Sequence, residues 1–481
     1  MERGRDHDAA AAGEENGFHH YNHDDAQVEA MQRRVDAAPP PGDDPYTILR
    51  LPAAVRERHR DLYEPKVVSV GPYYHGRAGL GAAQQHKWRL LRDFLSRGNK
   101  KAGAGAGLGA FLRAAREAEA DARRCYAEGF VGLGADEFAE MLVLDGCFLL
   151  EFFLRKGEGQ LAAPGGAKWA WHHMYHDVLL LENQIPFFVV EKLHGVAFAD
   201  GEDGAGRDAL LDIFCKAFAG DLPSSRAIRP PSDKTIHHLL HLHYECNVRS
   251  PAADNDKGRN AIGDASGASS SLAIWKKPAI PSPRSGGKGR LTSMIPPAAK
   301  MEEAGVTFKR KAAPRDVFDA SFRYGVLHMP AFVVDEGAKV LLANLVAFEQ
   351  GGGRAARQLD GGNLVTGFVA LLGSLVNSRR DLEVLRRCGI MHCMLADDDA
   401  VAYFNHVVQY TTMDYEQHLL ACLFRDVREH CHWNRRSLST LPAGDPSNAD
   451  PVNPFRRERS IFFYRRIPPL LFIITSVDII Y

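Results

Sequence analysis

Apolar residues recur at helical spacing along much of the chain. From Leu108 they return at Phe111, Leu112, Ala115, Ala122 and Tyr126, with Arg116, Glu117, Glu119 and Arg123 between them. That spacing predicts a helix with one buried and one solvated face. Residues 138–154 are apolar nearly all round, interrupted by Asp145 and Glu151. They predict a helix buried on most sides, short of the roughly 20 uninterrupted apolar residues that cross a bilayer. Residues 178–193 read as a similar helix, which Pro186 breaks or kinks by removing a backbone donor. Short β-branched or apolar runs ended by Pro or Gly, at 46–52 and 66–72, read as extended segments. Later, helical patterns at 300–304, 338–348, 364–377 and 400–430 alternate with extended runs at 306–309, 317–322 and 331–334. The fold class expected is mostly α-helical (α+β), a helical core with a small β-sheet of short strands.

Two stretches lack that patterning. Residues 1–42 are rich in Ala, Gly, His and acidic groups and finish in Pro39-Pro40-Pro41-Gly42. Too little apolar surface is available there to offset the entropy of ordering, which predicts a disordered N-terminal arm. Residues 250–290, rich in Ser, Gly, Asp, Pro and Lys, predict a disordered insertion. It divides a first lobe, 43–249, from a second, 291–436; residues 437–481 form a separate tail. The runs 138–154, 178–193 and 364–376 are too apolar to be left exposed, so a core shared by both lobes is expected.

Composition narrows the function classes. The 481 residues are 45% hydrophobic and 25% charged, the balance of a chain with a sizeable core. Lys and Arg number 59 against 60 Asp and Glu, for a formal charge of -1. Without a positive field to attract phosphate backbones, nucleic acid is not an expected partner. The first residues develop no apolar signal core, so a cytoplasmic location in a reducing compartment is expected. The 8 cysteines are scattered without the density of a disulfide scaffold. Cys147 and Cys215, in apolar runs, read as small core residues.

Several side-chain groups invite a chemical reading. His237 and His241 fall at i and i+4, with Cys246 following, a spacing that chelates zinc when it lies on one helix face. No Glu follows the first His as a metalloprotease helix requires, and a polar-faced helix leading into the insertion is the preferred reading. His172 and His176, beside Asp177, share the spacing, but Trp169, Trp171, Met174 and Tyr175 read as a helix packed by aromatics. Cys388 and Cys393 with Cys431 and His432 offer thiols and imidazoles at a spacing slack for a zinc knuckle. Gly105-Ala-Gly107-Leu-Gly-Ala110 loosely resembles a dinucleotide fingerprint, yet a helix rather than a strand precedes it. Gly286-Gly-Lys-Gly289 lacks the spacing of a phosphate loop. No cofactor is expected. Glu182-Asn183-Gln184, directly after a buried run, must find partners or incur about 1–3 kcal/mol each. With Asp145 and Pro186 they read as a hydrogen-bonded structural hub that fixes the break before Pro186. The alternative is an enzyme that uses Glu182 and Asp145 or the His-rich helix, without the support of a Gly-x-Ser-x-Gly elbow.

Longer segments carry a family resemblance. Tyr63-Glu-Pro-Lys-Val-Val-Ser-Val-Gly-Pro-Tyr-Tyr-His-Gly76 is followed by Gln85-His-Lys-Trp88, then by Glu140-Met-Leu-Val-Leu-Asp-Gly-Cys-Phe-Leu-Leu-Glu151 and Asp177-Val-Leu-Leu-Leu-Glu-Asn-Gln-Ile-Pro-Phe-Phe188. Glu303-Ala-Gly-Val-Thr-Phe-Lys309, Asn344-Leu-Val-Ala-Phe-Glu349 and Asp381-Leu-Glu-Val-Leu385 come later. In this order they resemble the plant family known as domain of unknown function 247, over residues 46–436. The resemblance implies a plant protein without established enzymatic activity. Some grass relatives are implicated in self-incompatibility, which implies recognition or signalling through a protein partner. Relatives usually end in a membrane helix after a Trp-Asn-Arg segment. Here Trp433-Asn434-Arg435-Arg436 leads into a different tail, whose last apolar run, 467–477, is short and holds Pro468 and Pro469. An integral anchor is therefore not expected. Arg456, Arg457, Arg459, Arg465 and Arg466 instead predict a peripheral, salt-sensitive contact with the plasma membrane, each contributing about 1 kcal/mol near an anionic surface.

Overall fold

The computed structural model describes residues 26–36, 46–102, 107–160 except 129 and 131, 168–198, 205–218, 229–248 except 232, 294–409 except 352, 358, 360 and 361, and 418–439. Two compact units are distinguished, Met1–Cys431 and His432–Tyr481. Residues 26–36 form a helix, α1, in the arm whose low apolar content predicted no ordered element, and its side chains remain mostly exposed. The rest of that arm, the insertion at 250–290 and the tail beyond 439, with its apolar run and arginines, lie outside the described residues.

The first lobe is helical. Ala53–Arg58 (α2) and Arg60–Tyr63 (α3) precede a single 3-10 turn, Pro72–Tyr74, and the long helices Gly81–Ala102 (α4), Leu108–Arg124 (α5) and Ala135–Gly157 (α6). Lys168–Asp177 (α7), Phe187–Phe198 (α8), Ala205–Phe218 (α9) and Leu239–Asn247 (α10) complete it. Helix α6 is the axis: α4, α5, α8 and α9 all pack on it. The cause is legible in its residues, since the apolar side chains from Phe138 to Phe153 leave no continuous polar stripe, and every residue from Met141 to Phe153 is buried. Helix α5 faces it with Phe111, Ala115, Ala118 and Ala122. Gly146 lets α8 approach, because a Cβ there would lie 2.4 Å from Leu193 Cδ1.

Two expectations for this lobe change and one holds. Residues 178–193 are not one interrupted helix; α7 ends at Asp177, residues 178–186 run through turns, and α8 starts just after Pro186. The apolar run resembles a helix, but side chains take its backbone groups, as described below. The segments at 46–52 and 66–72 are extended but form no strand; the first makes a single bridge, Ile48 with Tyr126. The segment from His237 is neither polar-faced nor helical throughout. His238 caps α10 and accepts from His241 N–H. His238, His241 and His243 are fully buried, because α9 and the second lobe cover the helix.

The second lobe opens with Ala298–Glu303 (α11). Thr307–Arg310 (β1), Ser321–Arg323 (β2) and Val326–Met329 (β3) form a sheet in the order β1-β3-β2, with β1 parallel and β2 antiparallel to β3. Phe332–Val334 (β4) pairs in parallel with Met391–Cys393 (β5) as a second, two-stranded sheet. The tight turn between β2 and β3 holds Tyr324 and Gly325 at φ 52° and 74°, the left-handed region that two-residue hairpins require. Between β4 and β5 lie Glu336–Gln350 (α12), Arg354–Arg357 (α13), Leu364–Leu375 (α14) and Arg379–Arg387 (α15). Asp397–Gln409 (α16) and Ala421–Ser439 (α17) replace the single helix expected at 400–430. Every residue of α14 is buried, packed by α12 and α16. Helix α12 also packs on α3, α7 and α10 of the first lobe, so one core runs through both.

Candidate functional site

Residues 66–71 run extended beside α7 and the turns after it, and side chains satisfy the amides of Lys66, Val67, Val68, Val70 and Gly71. Asp177 accepts from Lys66 N–H at 2.9 Å through one oxygen and from Val67 and Val68 N–H at 2.6 and 2.8 Å through the other. Asn183 accepts from Val70 N–H at 2.7 Å and donates to the Val68 carbonyl at 3.0 Å. Asp145 of α6 accepts from Gly71 N–H at 2.8 Å and from the Lys87 ammonium of α4 at 2.5 Å. Both members of that ion pair are buried, a setting in which removing one partner costs about 3–5 kcal/mol. Burial pushes the Asp177 carboxyl up to about 6, against the pull of its three amides. Gly71 is irreplaceable on two counts: its φ is 77°, and a Cβ would lie 2.2 Å from the Gln184 carbonyl oxygen.

Asn183 and Gln184 hold the turns themselves. Asn183 donates to the Asp177 carbonyl at 2.8 Å, and Gln184 donates to those of Val178 and Leu180 at 2.8 and 2.7 Å. The Gln184 side-chain oxygen accepts from Leu240 N–H at 3.2 Å, which ties α10 to the same hub. Phe187 N–H, just after Pro186, donates to the His237 carbonyl at 2.8 Å. Asn344 of α12 joins the lobes: it accepts from Leu181 N–H at 2.9 Å and donates to the Leu62 carbonyl at 2.8 Å. Tyr244 donates to Glu349 at 2.8 Å, and that carboxylate also accepts from Val365 and Thr366 N–H at the start of α14.

Glu182 faces the other way, beneath a cleft. One oxygen accepts from Leu51 N–H at 2.7 Å and the other from Tyr74 Oη at 2.7 Å. Arg56 and Arg50 reach it at 3.4 and 4.0 Å. Arg50, Arg56, Arg60 and Arg77 line the cleft with Glu57, Glu64, Tyr73, Tyr74 and His75, enclosing about 310 Å³. Arg50 lies over the Tyr73 ring and Arg77 over the Tyr74 ring, at 5.2 and 5.4 Å from the centroids. Arg50 pairs with Glu128 at 2.7 Å and Arg77 with Glu64 at 2.6 Å. Burial works against the charge on Arg50, but Glu128 and Glu182 outweigh it and raise its pKa. Burial, reinforced by Glu182, raises the Tyr74 hydroxyl well above its usual range. Arg50 and Arg56 are thus braced from below by Glu182, while the Arg60 and Arg77 side chains are exposed.

Asp145, Glu182, Asn183, Gln184 and Pro186, far apart in part along the chain, meet in this hub. Lys87, Asp177, Tyr74 and the four arginines were not singled out for it; Lys87 and Tyr74 lie inside the motif segments, which was the available signal. The metal candidates are dispersed among other contacts. His237 and His241 rings stack at 5.3 Å, His237 N–H donates to His241 Nδ1 at 3.2 Å, and His241 Nε2 faces Glu245 at 3.3 Å. Cys246 faces Cys215 instead. The pair His172 and His176 meets through Nε2 atoms 3.3 Å apart. Among the described residues no three His, Cys, Asp or Glu side chains form a group that could hold a metal. Nor, among those residues, is any helix long and apolar enough to cross a membrane.

The fold can be set beside known proteins. No solved structure matches the chain. It is 26% identical over 396 residues to UPF0481 protein At3g47200 of Arabidopsis thaliana, covering 81% of this chain and 78% of that one. A second UPF0481 protein of the same plant, At3g02645, is 22% identical over 430 residues, covering 74% and 76%. Residues 48–443 match DUF247, described as plant protein of unknown function. That span takes in both lobes and every residue of the hub, and the chain belongs to the DUF247 family.

Proposed function

We propose that this is a non-enzymatic recognition protein of a signalling process, acting through protein contacts at the inner face of the plasma membrane. Its arginine-lined cleft is the contact for an acidic segment of a protein partner. The observation that carries this reading is the way Glu182 is used. Both its oxygens are engaged by Leu51 N–H and the Tyr74 hydroxyl while Arg56 approaches from the cleft side. Asp145 is likewise engaged on both oxygens, by Gly71 N–H and Lys87. A general acid or base needs a carboxylate that can reach a substrate proton; these carboxylates hold backbone and arginines in place. Preorganised guanidiniums, each with several N–H donors, suit carboxylate recognition.

The test is proximity labelling by the full-length protein in its own tissue, with Arg60→Glu/Arg77→Glu as the comparison. Both side chains are exposed, so the fold should be retained, with the melting temperature lowered only slightly by loss of the Arg77–Glu64 pair. Loss of a set of acidic proteins from the labelled fraction is the expected result. Labelling that is identical for the two forms overturns the cleft as a contact.

A further inference from the structure

Cys215 on α9 and Cys246 on α10 lie sulfur to sulfur at 3.2 Å, both as free thiols. Both are buried, Cys215 at 8% exposure and Cys246 at 2%. The arrangement is held from outside. Phe214 and Phe218, flanking Cys215, pack on Phe153 of α6 with centroids 4.8 and 5.6 Å away. The Phe218 ring also meets His243 of α10 at 4.8 Å. Helix α10 is itself fastened to the hub by Leu240 N–H on Gln184 and to α12 by Tyr244 on Glu349. Neither helix is free to carry its sulfur away.

We propose that Cys215 and Cys246 are an oxidative modification site: a dithiol that hydrogen peroxide closes to a disulfide between α9 and α10. A disulfide has sulfurs about 2.05 Å apart, so closure asks for a movement of about 1.2 Å, within reach of side-chain rotation. The reaction balances with peroxide as the oxidant. The Cys215 thiolate attacks a peroxide oxygen, the O–O bond breaks, and hydroxide leaves and is protonated, giving a sulfenic acid on Cys215 and one water. The Cys246 sulfur, losing its proton, displaces hydroxide from that sulfenic acid, forming the S–S bond and a second water. Two thiols are oxidised and one peroxide is reduced to two waters. The order of roles follows from the surroundings. The contact with Cys246 lowers the Cys215 pKa although burial opposes it, whereas the same contact and burial raise that of Cys246. Cys215 is also the more exposed of the two and therefore the sulfur that peroxide meets first. Cys147, by contrast, is fully buried within α6, and burial raises its thiol pKa; it reads as packing.

The test treats the full-length, fully reduced protein with a small excess of hydrogen peroxide, alkylates the remaining thiols and maps the digest by mass spectrometry. The expected product is a peptide pair joined Cys215 to Cys246, with two thiols lost from the eight, and both recovered by dithiothreitol. The oxidised form should also melt above the reduced form. In Cys246→Ser, the Cys215 sulfenic acid should persist and be captured by dimedone. The proposal is overturned if both thiols alkylate fully after peroxide, or if Cys215 goes on to sulfinic acid while Cys246 remains free in the unmutated protein.

Discussion

Residues 66–71 and strand β3 are both short extended segments at the edge of a helical mass, and they satisfy their backbones by opposite means. The β3 strand is paired on both sides by main chain, with Thr307 to Arg310 in parallel register on one side and Ser321 to Arg323 antiparallel on the other. The amides of Lys66, Val67, Val68, Val70 and Gly71 take their partners from Asp177, Asn183 and Asp145. A ladder of main-chain groups is indifferent to most side chains, since every residue but Pro carries the same donor and acceptor. A backbone held by carboxylates and amides depends on particular residues, and each one lost leaves a buried amide unpaired. The same chain therefore contains one extended segment tolerant of substitution and one that is not.

Substitution at Gly71 is the severest test of that contrast. The 2.2 Å approach of a Cβ to the Gln184 carbonyl and the φ of 77° act together, and Gly71→Ala should cost on the order of 5 kcal/mol or prevent folding. Denaturant titration of the variant checks this; a loss under 1 kcal/mol would show that the hub yields easily. Asp177→Asn comes next. One oxygen becomes an NH2 group facing an amide that needs an acceptor, for a loss of about 2–3 kcal/mol. Lys309→Ala on β1, an exposed position, should change stability by no more than about 0.5 kcal/mol. Equal effects from these two would erase the distinction between the segments.

Protonation of a histidine pair offers a further test. His59, which separates α2 from α3 close to the hub, lies with its ring centroid 3.4 Å from that of His406 on α16. Burial, then His59 and Arg58, lower the His406 pKa from 6.5 to about 4, with Asp61 opposing. A base whose folded pKa is depressed binds more protons when unfolded, so stability rises with pH across that window. The contribution is complete above about 6.5 and is lost as pH falls toward 4. Melting temperature followed from pH 7.5 to 4.5 should decline by a few degrees more for the unmutated protein than for His406→Gln. In the sheet, His328 is also lowered, by burial first and then by Lys309 and Lys311, and His328→Gln should flatten the curve less. Parallel curves for His406→Gln and the unmutated protein would remove the histidine pair as a source of acid sensitivity.

What the sequence determined by itself was whatever rests on composition along a single element. Residues 138–154 announce a buried helix because no face of them is polar, and α6 is the axis of the first lobe. The motif order Tyr63 to Gly76, Glu140 to Glu151 and Asp177 to Phe188 was sufficient to place the family. Pro186 marked a discontinuity, since its missing donor acts locally. Strand β3 was missed because four residues with mixed burial carry too little periodicity to register. The turns at 178–186 were read as helix because an apolar run has the same composition in either conformation. Only the tertiary structure decided that Asp177 lies against an amide 111 residues earlier and Asp145 against one 74 residues earlier. It alone brought Arg50, Arg56, Arg60 and Arg77 around one cleft and set Cys215 against Cys246 across 31 residues of chain. Each of these pairings joins groups whose separation along the chain says nothing of their distance in space, and helix packing around α6, not local propensity, sets that distance.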